Sequence, residues 1–136
     1  MLEIQTISEG LSEDLSAVGN SSSETVDVNG TGFAASLFLA TDGHYETSDA
    51  SSLTAMPCSA VALETGTGTK VVLHRGFIRN DAWSWTIGEV IYASETGGAF
   101  TQTAPSTTGA YVQVVGIAKT ADIMEFNPSF NMVKVK

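Results

Sequence analysis

Ser59-Ala60-Val61-Ala62-Leu63-Glu64-Thr65-Gly66-Thr67-Gly68-Thr69-Lys70-Val71-Val72-Leu73-His74 is the stretch on which the fold reading turns. Two apolar segments flank Thr65–Thr69, a polar loop carrying two glycines. Val is abundant in the second segment, and its branched side chain packs well on a pleated surface. Short apolar segments joined by a glycine-bearing loop of this length are hairpin chemistry. The same pattern repeats downstream, where Val90–Ser94 and Ala99–Thr103 flank Glu95-Thr96-Gly97-Gly98.

Working outward, most of the chain reads the same way. Thr25–Val28 alternates, and Phe33–Ala40 is a compact apolar run between Gly32 and Asp42-Gly43. Tyr111–Ala118 is the strongest strand, with Gly116 marking a bulge or a close approach. Asp122–Phe126 and Met132–Val135 close the chain around Asn127-Pro128-Ser129. Thr41–Met56 is polar and irregular, a long loop or a crossing strand. Turn signals recurring at short intervals, with no long helical period, predict an all-β fold, a compact β-barrel or β-sandwich with an N-terminal arm.

The arm is residues 1–24, and the barrel or sandwich domain is 25–136. In the arm, Ile4, Ile7, Leu11, Leu15 and Val18 recur at helical spacing, with Glu9, Glu13 and Asp14 near the opposite side. Gly10 and several serines weaken a helix, so the segment is a short amphipathic or extended arm, or else it covers its own domain's core. Gly19-Asn20-Ser21-Ser22-Ser23 reads as a flexible joint. Fully extended, 24 residues reach roughly 80 Å.

Composition bounds the function. The chain has 136 residues, of which 43% are hydrophobic and only 15% charged. A typical soluble domain has about 25% charged residues. The net charge of −9 is uneven: residues 1–69 hold ten acids and no Lys or Arg, while 70–136 hold five acids and six bases. Binding to nucleic acid or to an anionic membrane relies on clustered Lys and Arg, so neither is expected. The acidic excess solubilises the chain or docks on a basic partner surface. Cys58 is the single cysteine, set among Met56, Pro57, Ala60 and Val61, and reads as a small buried residue that forms no intrachain disulfide. The N-terminus lacks a basic-then-apolar secretion pattern, and no apolar run approaches the roughly 18 residues of a membrane span. A chain folding in a reducing cytoplasm is expected.

No catalytic constellation assembles. His44 and His74 lie far apart in sequence, and neither has metal-ligand spacing with Cys58. Gly66-Thr67-Gly68-Thr69-Lys70 lacks the Gly-Lys-Ser/Thr order and following helix of a phosphate loop. Asp42, Glu46 and Asp49 lack the alternation of a calcium loop. No enzyme activity, cofactor or metal is expected. Trp83-Ser84-Trp85 is the most conspicuous local feature: on a strand the two indoles share a face, as a recognition platform or as core filling. Trp83, Trp85, Tyr45 and His44 are the candidate recognition residues.

From Gly76-Phe77-Ile78-Arg79-Asn80-Asp81-Ala82-Trp83-Ser84-Trp85, through Gly88–Ser94 and Gly97–Ser106, the chain resembles a module frequent in tailed-bacteriophage structural proteins. Val112-Gln113-Val114-Val115-Gly116-Ile117-Ala118, Ala121-Asp122-Ile123 and Phe126-Asn127-Pro128-Ser129 continue the pattern, and Asp42-Gly43-His44-Tyr45 with Asp49-Ala50-Ser51 resembles its start. The resemblance covers roughly residues 40–136 and carries no catalytic residue. It is to capsid decoration (cement) proteins and to head or tail fibre domains. It implies a β-barrel-like domain that self-associates, with a trimer favoured. It further implies a place on the capsid exterior, after assembly in the host cytoplasm. As a decoration protein its partner would be the major capsid protein, and the arm, which the resemblance does not cover, would bind the shell through Ile4, Ile7, Leu11 and Leu15. The alternative is a receptor- or glycan-binding module of a fibre.

Overall fold

The computed structural model describes residues 17–27 and 32–136. Among the described residues eleven strands succeed one another: β1 (Ala17–Val26), β2 (Ser36–Leu39), β3 (Tyr45–Thr47), β4 (Cys58–Ala62), β5 (Gly68–Arg79), β6 (Val90–Ala93), β7 (Phe100–Thr101), β8 (Tyr111–Val112), β9 (Val114–Ala118), β10 (Ile123–Phe126) and β11 (Val133–Lys134). The one helical element among the described residues is a 3₁₀ turn at Leu53–Ala55, and none is long or apolar enough to cross a membrane. The fold is all-β, as the turn spacing predicts.

β5 organises the molecule. Its twelve residues exceed the Lys70–His74 core of the sequence reading. One edge carries β1 along nearly its whole length; the other carries β4 near Val72 and Leu73, then β10 from Gly76 to Arg79. Strands β1, β3, β2, β4 and β5 close into a five-stranded barrel, sealed by the parallel bridge Val26↔Tyr45. Beyond β5 the sheet continues as β10, β9, β6 and β7, and β8 pairs with β11 separately.

Three apolar clusters follow from this geometry, the smallest being Val18 and Ile123 with Phe77 against them on the outer face. Val26, Leu37, Tyr45, Ala60, Ala62 and Val72 come from all five barrel strands and fill its interior. A barrel of so few strands is narrow, which is why alanines occupy several inner positions. The larger cluster lies outside the barrel wall, where Cys58, Val61, Leu73 and Ile78 meet Ile91, Val115, Met124 and Phe126 of the extension. Gly116 permits that packing: a Cβ there would stand 2.4 Å from the Glu125 carbonyl oxygen. The expected close approach at this residue is therefore present. The strongest expected strand is divided, because Gln113 separates β8 from β9.

One expectation is corrected. Gly19–Ser23, read as a joint, is strand, and the boundary placed between residues 24 and 25 falls inside β1. Polar residues of weak strand preference are held there because each backbone pairs with the apolar β5 ladder; partners override propensity. Gly19 and Gly76 face each other across this ladder at φ +142° and +147°, and a Cβ on either would collide with the other strand's backbone. The glycine thus marks a crossing of two strands at close range, not a hinge. Thr41–Met56, read as a long loop or a crossing strand, includes the short strand β3, which supplies a wall of the barrel, in keeping with the second alternative. The arm residues Ile4, Ile7, Leu11 and Leu15 lie outside the described residues.

Candidate functional site

The four candidate recognition residues do not form one platform. Trp83-Ser84-Trp85 lies in the connection after β5, not on a strand. The indole centroids stand 5.2 Å apart at 45°, and Trp83 meets Phe100 edge-on at 6.2 Å. Both indoles are half-buried against the larger core. Trp85 Nε1 is buried without a hydrogen-bond partner. Trp83 keeps one accessible side, where with Phe33, Phe100, Asn80 and Thr47 it lines an open hollow of about 480 Å³.

Tyr45 and His44 are chain neighbours that point apart. Tyr45 is buried among the barrel residues. His44 lies outside, its Nδ1 2.8 Å from Asp27 Oδ2 and 3.7 Å from Asp42 Oδ2. The hydrogen bond to Asp27, reinforced by the charges of Asp27, Asp42 and Glu46, raises its pKa above the ordinary 6.5. The ligand atoms of Asp27, Asp42 and His44 converge within 4.8 Å of one another. Sequence spacing grouped Asp42 with Glu46 and Asp49 instead. Asp49 is used locally, accepting from the Ser51 amide and hydroxyl. Asp27 was missed because it reaches the group through the pairing of β1 with β3, across 17 residues of chain.

The second histidine belongs to a different arrangement. His74 Nε2 stands 2.6 Å from Ser22 Oγ, and Ser22 donates its proton to Glu24 Oε2 at 2.7 Å. With that proton committed to Glu24, the hydroxyl accepts from the ring. A nucleophilic serine needs the opposite polarity, with the imidazole accepting the hydroxyl proton. The arrangement therefore holds the His74 ring in place and does not activate Ser22. His74 lines an open hollow of about 410 Å³ at the barrel mouth with Leu39, Tyr45, Pro57, Ser59 and Phe130. Only Tyr45 among these was singled out from sequence. The others converge through ladder registers that no local pattern reveals.

Cys58 matches its reading. It is fully buried, and burial pushes its thiol up to about 12. A thiol so raised is protonated at neutral pH and has no nucleophilic role.

The outer face of the extension carries the remaining feature. Directly opposed residues of paired strands share a face. The pairs Val18↔Phe77, Phe77↔Glu125, Glu125↔Ile117 and Ile117↔Val90 therefore form one row across β1, β5, β10, β9 and β6. Tyr92↔Val114 stands beside it. Val90, Val114 and Ile117 are each more than a third exposed, an uncommon state for adjacent branched residues on a sheet.

Comparison with known protein families, with curated proteins and with solved structures finds no match to this chain.

Proposed function

We propose that this chain is a virion structural protein that decorates the outside of a phage head and stabilises the shell by bridging subunits of the major capsid protein. The observation that carries the reading is the solvent-facing apolar group Val90, Val114 and Ile117 with Tyr92, on the half of the chain where the resemblance is densest. Such a surface gains by being covered, and a neighbouring subunit is the cover an assembly supplies. The action is physical: one rigid barrel touching several shell subunits converts modest contacts into tight attachment through multivalency. The acids of residues 1–69 orient it on a basic shell, and Ile4, Ile7, Leu11 and Leu15 fill grooves there. Self-association as a trimer belongs to the same proposal.

Imaging capsids made with and without the protein, before and after heating, tests this. Loss of shell integrity in its absence is expected. Unchanged shells, with the protein located elsewhere on the particle, overturn the reading.

The second reading, a glycan-binding fibre module, has one observation in its favour. The hollow of Phe33, Trp83 and Phe100 sets aromatic surface beside Asn80 and Thr47, the mixture that sugar rings accept. A glycan array probed with the Trp83→Ala variant as control distinguishes it: binding lost in the variant supports the fibre reading.

A further inference from the structure

Two irregularities in the barrel ladders point to one place. On β4, Leu37 opposes Ala60 and Phe38 opposes Cys58, so Ser59 is an extra, unpaired residue. On β5, Asn20 opposes Arg75 and Ser21 opposes Leu73, so His74 is extra in the same sense. A bulge re-aims the side chain it carries. Both of these side chains line the same hollow at the barrel mouth, facing Tyr45 and ringed by Leu39, Pro57 and Phe130.

The mouth sets a few polar groups in a mostly apolar lining. Ser59 Oγ is buried with no hydrogen-bond partner, a costly state unless something fills it. Because Ser22 gives its proton to Glu24, His74 Nε2 is the donor to Ser22, and in the neutral ring Nδ1 is then the acceptor. Glu24 stands one hydroxyl behind the ring. Its charge reaches the hollow: burial, and then Glu24, push the Tyr45 phenol upward. Lys70 opposes Glu24 in the ladder, but its ammonium lies over the Gly66 turn, and Glu24 makes no ion pair among the described residues. The rim is apolar and uncovered, with Leu39 53% and Phe130 66% exposed.

We propose that the barrel mouth binds an aliphatic cation, the ammonium or guanidinium end of a Lys or Arg side chain presented by a partner. The apolar collar takes the methylene stem, as long basic side chains lay their stems on apolar surface. The head group carries donors and no acceptor, the complement of Ser59 Oγ, His74 Nδ1 and the Glu24 charge. An anion would meet Glu24 unfavourably. A purely apolar group would leave Ser59 unpaired. No Lys or Arg lines the hollow, and the first 69 residues contain neither. The inference concerns this hollow alone and stands whether or not the protein decorates a capsid.

The test is an NMR titration of the full chain with four small probes: the Nα-acetyl amides of lysine, arginine, norleucine and glutamine. Saturable shifts at His74, Ser59 and Tyr45 are expected with the lysine and arginine probes alone. Glu24→Gln is expected to weaken them about five- to tenfold, with added salt acting in the same direction. Phe130→Ala, a rim change that leaves the core intact, is expected to weaken the same two probes and keeps the test open if Glu24→Gln fails to fold. Equal shifts with the norleucine probe, no shift with any probe, or an affinity indifferent to Glu24→Gln in a folded variant would each overturn the proposal.

Discussion

At the scale of the residue, Gln113 joins the two halves of the core. Its fully buried amide accepts from the Cys58 N–H and donates to the Cys58 and Ser129 carbonyls, each at 2.8 Å. The side chain thus extends β4 as a short stretch of backbone would. Gln113→Leu keeps the volume and strands the polar backbone groups, and a loss of about 2–4 kcal/mol in denaturant unfolding is expected. Sequence could not reveal this, because a polar residue within an alternating strand reads as a surface position. Cys58 was legible from its apolar neighbours. Its thiol is expected to resist a disulfide reagent in the native protein and to react on unfolding, read by absorbance in a timed labelling assay. His44 supplies the pH dependence. Its folded pKa is raised, so the Asp27 contact contributes fully below the unfolded value of 6.5 and is lost as pH rises through the raised value. Asp27→Asn is expected to bring the His44 midpoint in an NMR titration down toward 6.5.

At the scale of the element, β1 separates what periodicity can reveal from what it cannot. Hairpins β4–β5 and β6–β7 were legible because each is local: two apolar segments, a glycine-bearing turn, and a register fixed by loop length. β1 has no such local warrant. Its Asn and Ser residues take strand geometry only because β5, some fifty residues later in sequence, offers a ladder along nearly the whole of β1, interrupted by one bulge at His74. The Ser22–Glu24–His74 group and the barrel-mouth hollow depend on that pairing, so they were hidden together with it. Truncation tests the point. Removing residues 1–16 leaves β1 intact, and a cooperative thermal transition is expected to survive. Removing residues 1–24, the boundary that composition suggested, strips nearly all of β1 and opens the barrel, so loss of that transition by circular dichroism is expected. A folded product of the longer deletion would mean that β5 closes the barrel without β1.

At the scale of the whole molecule, the extension sheet has one face against the core and one face turned outward. The inner face is saturated: Ile91, Val115, Met124 and Phe126 are fully buried. On the outer face Val18 and Phe77 pack on Ile123, while Val90, Val114 and Ile117, beyond Glu125 in the row, remain partly in water. An outer face kept for solvent alone would alternate to polar residues, as the Thr and Ser content of this chain readily allows. On the function proposed above, Val114 and Ile117 belong to the surface that a neighbouring subunit covers. If copies of this chain cover one another there, solution mass measurement of the wild type at micromolar concentration is expected to return an oligomer, with a trimer favoured. The double variant Val114→Glu and Ile117→Glu is then expected to return a monomer. Its unfolding free energy should stay within about 1 kcal/mol of the wild type, since both positions are exposed. A wild-type monomer at that concentration counts against self-association through this face. A destabilised variant would show instead that the row is held by contacts within the chain, and the apolar surface would then need a cover nearer home.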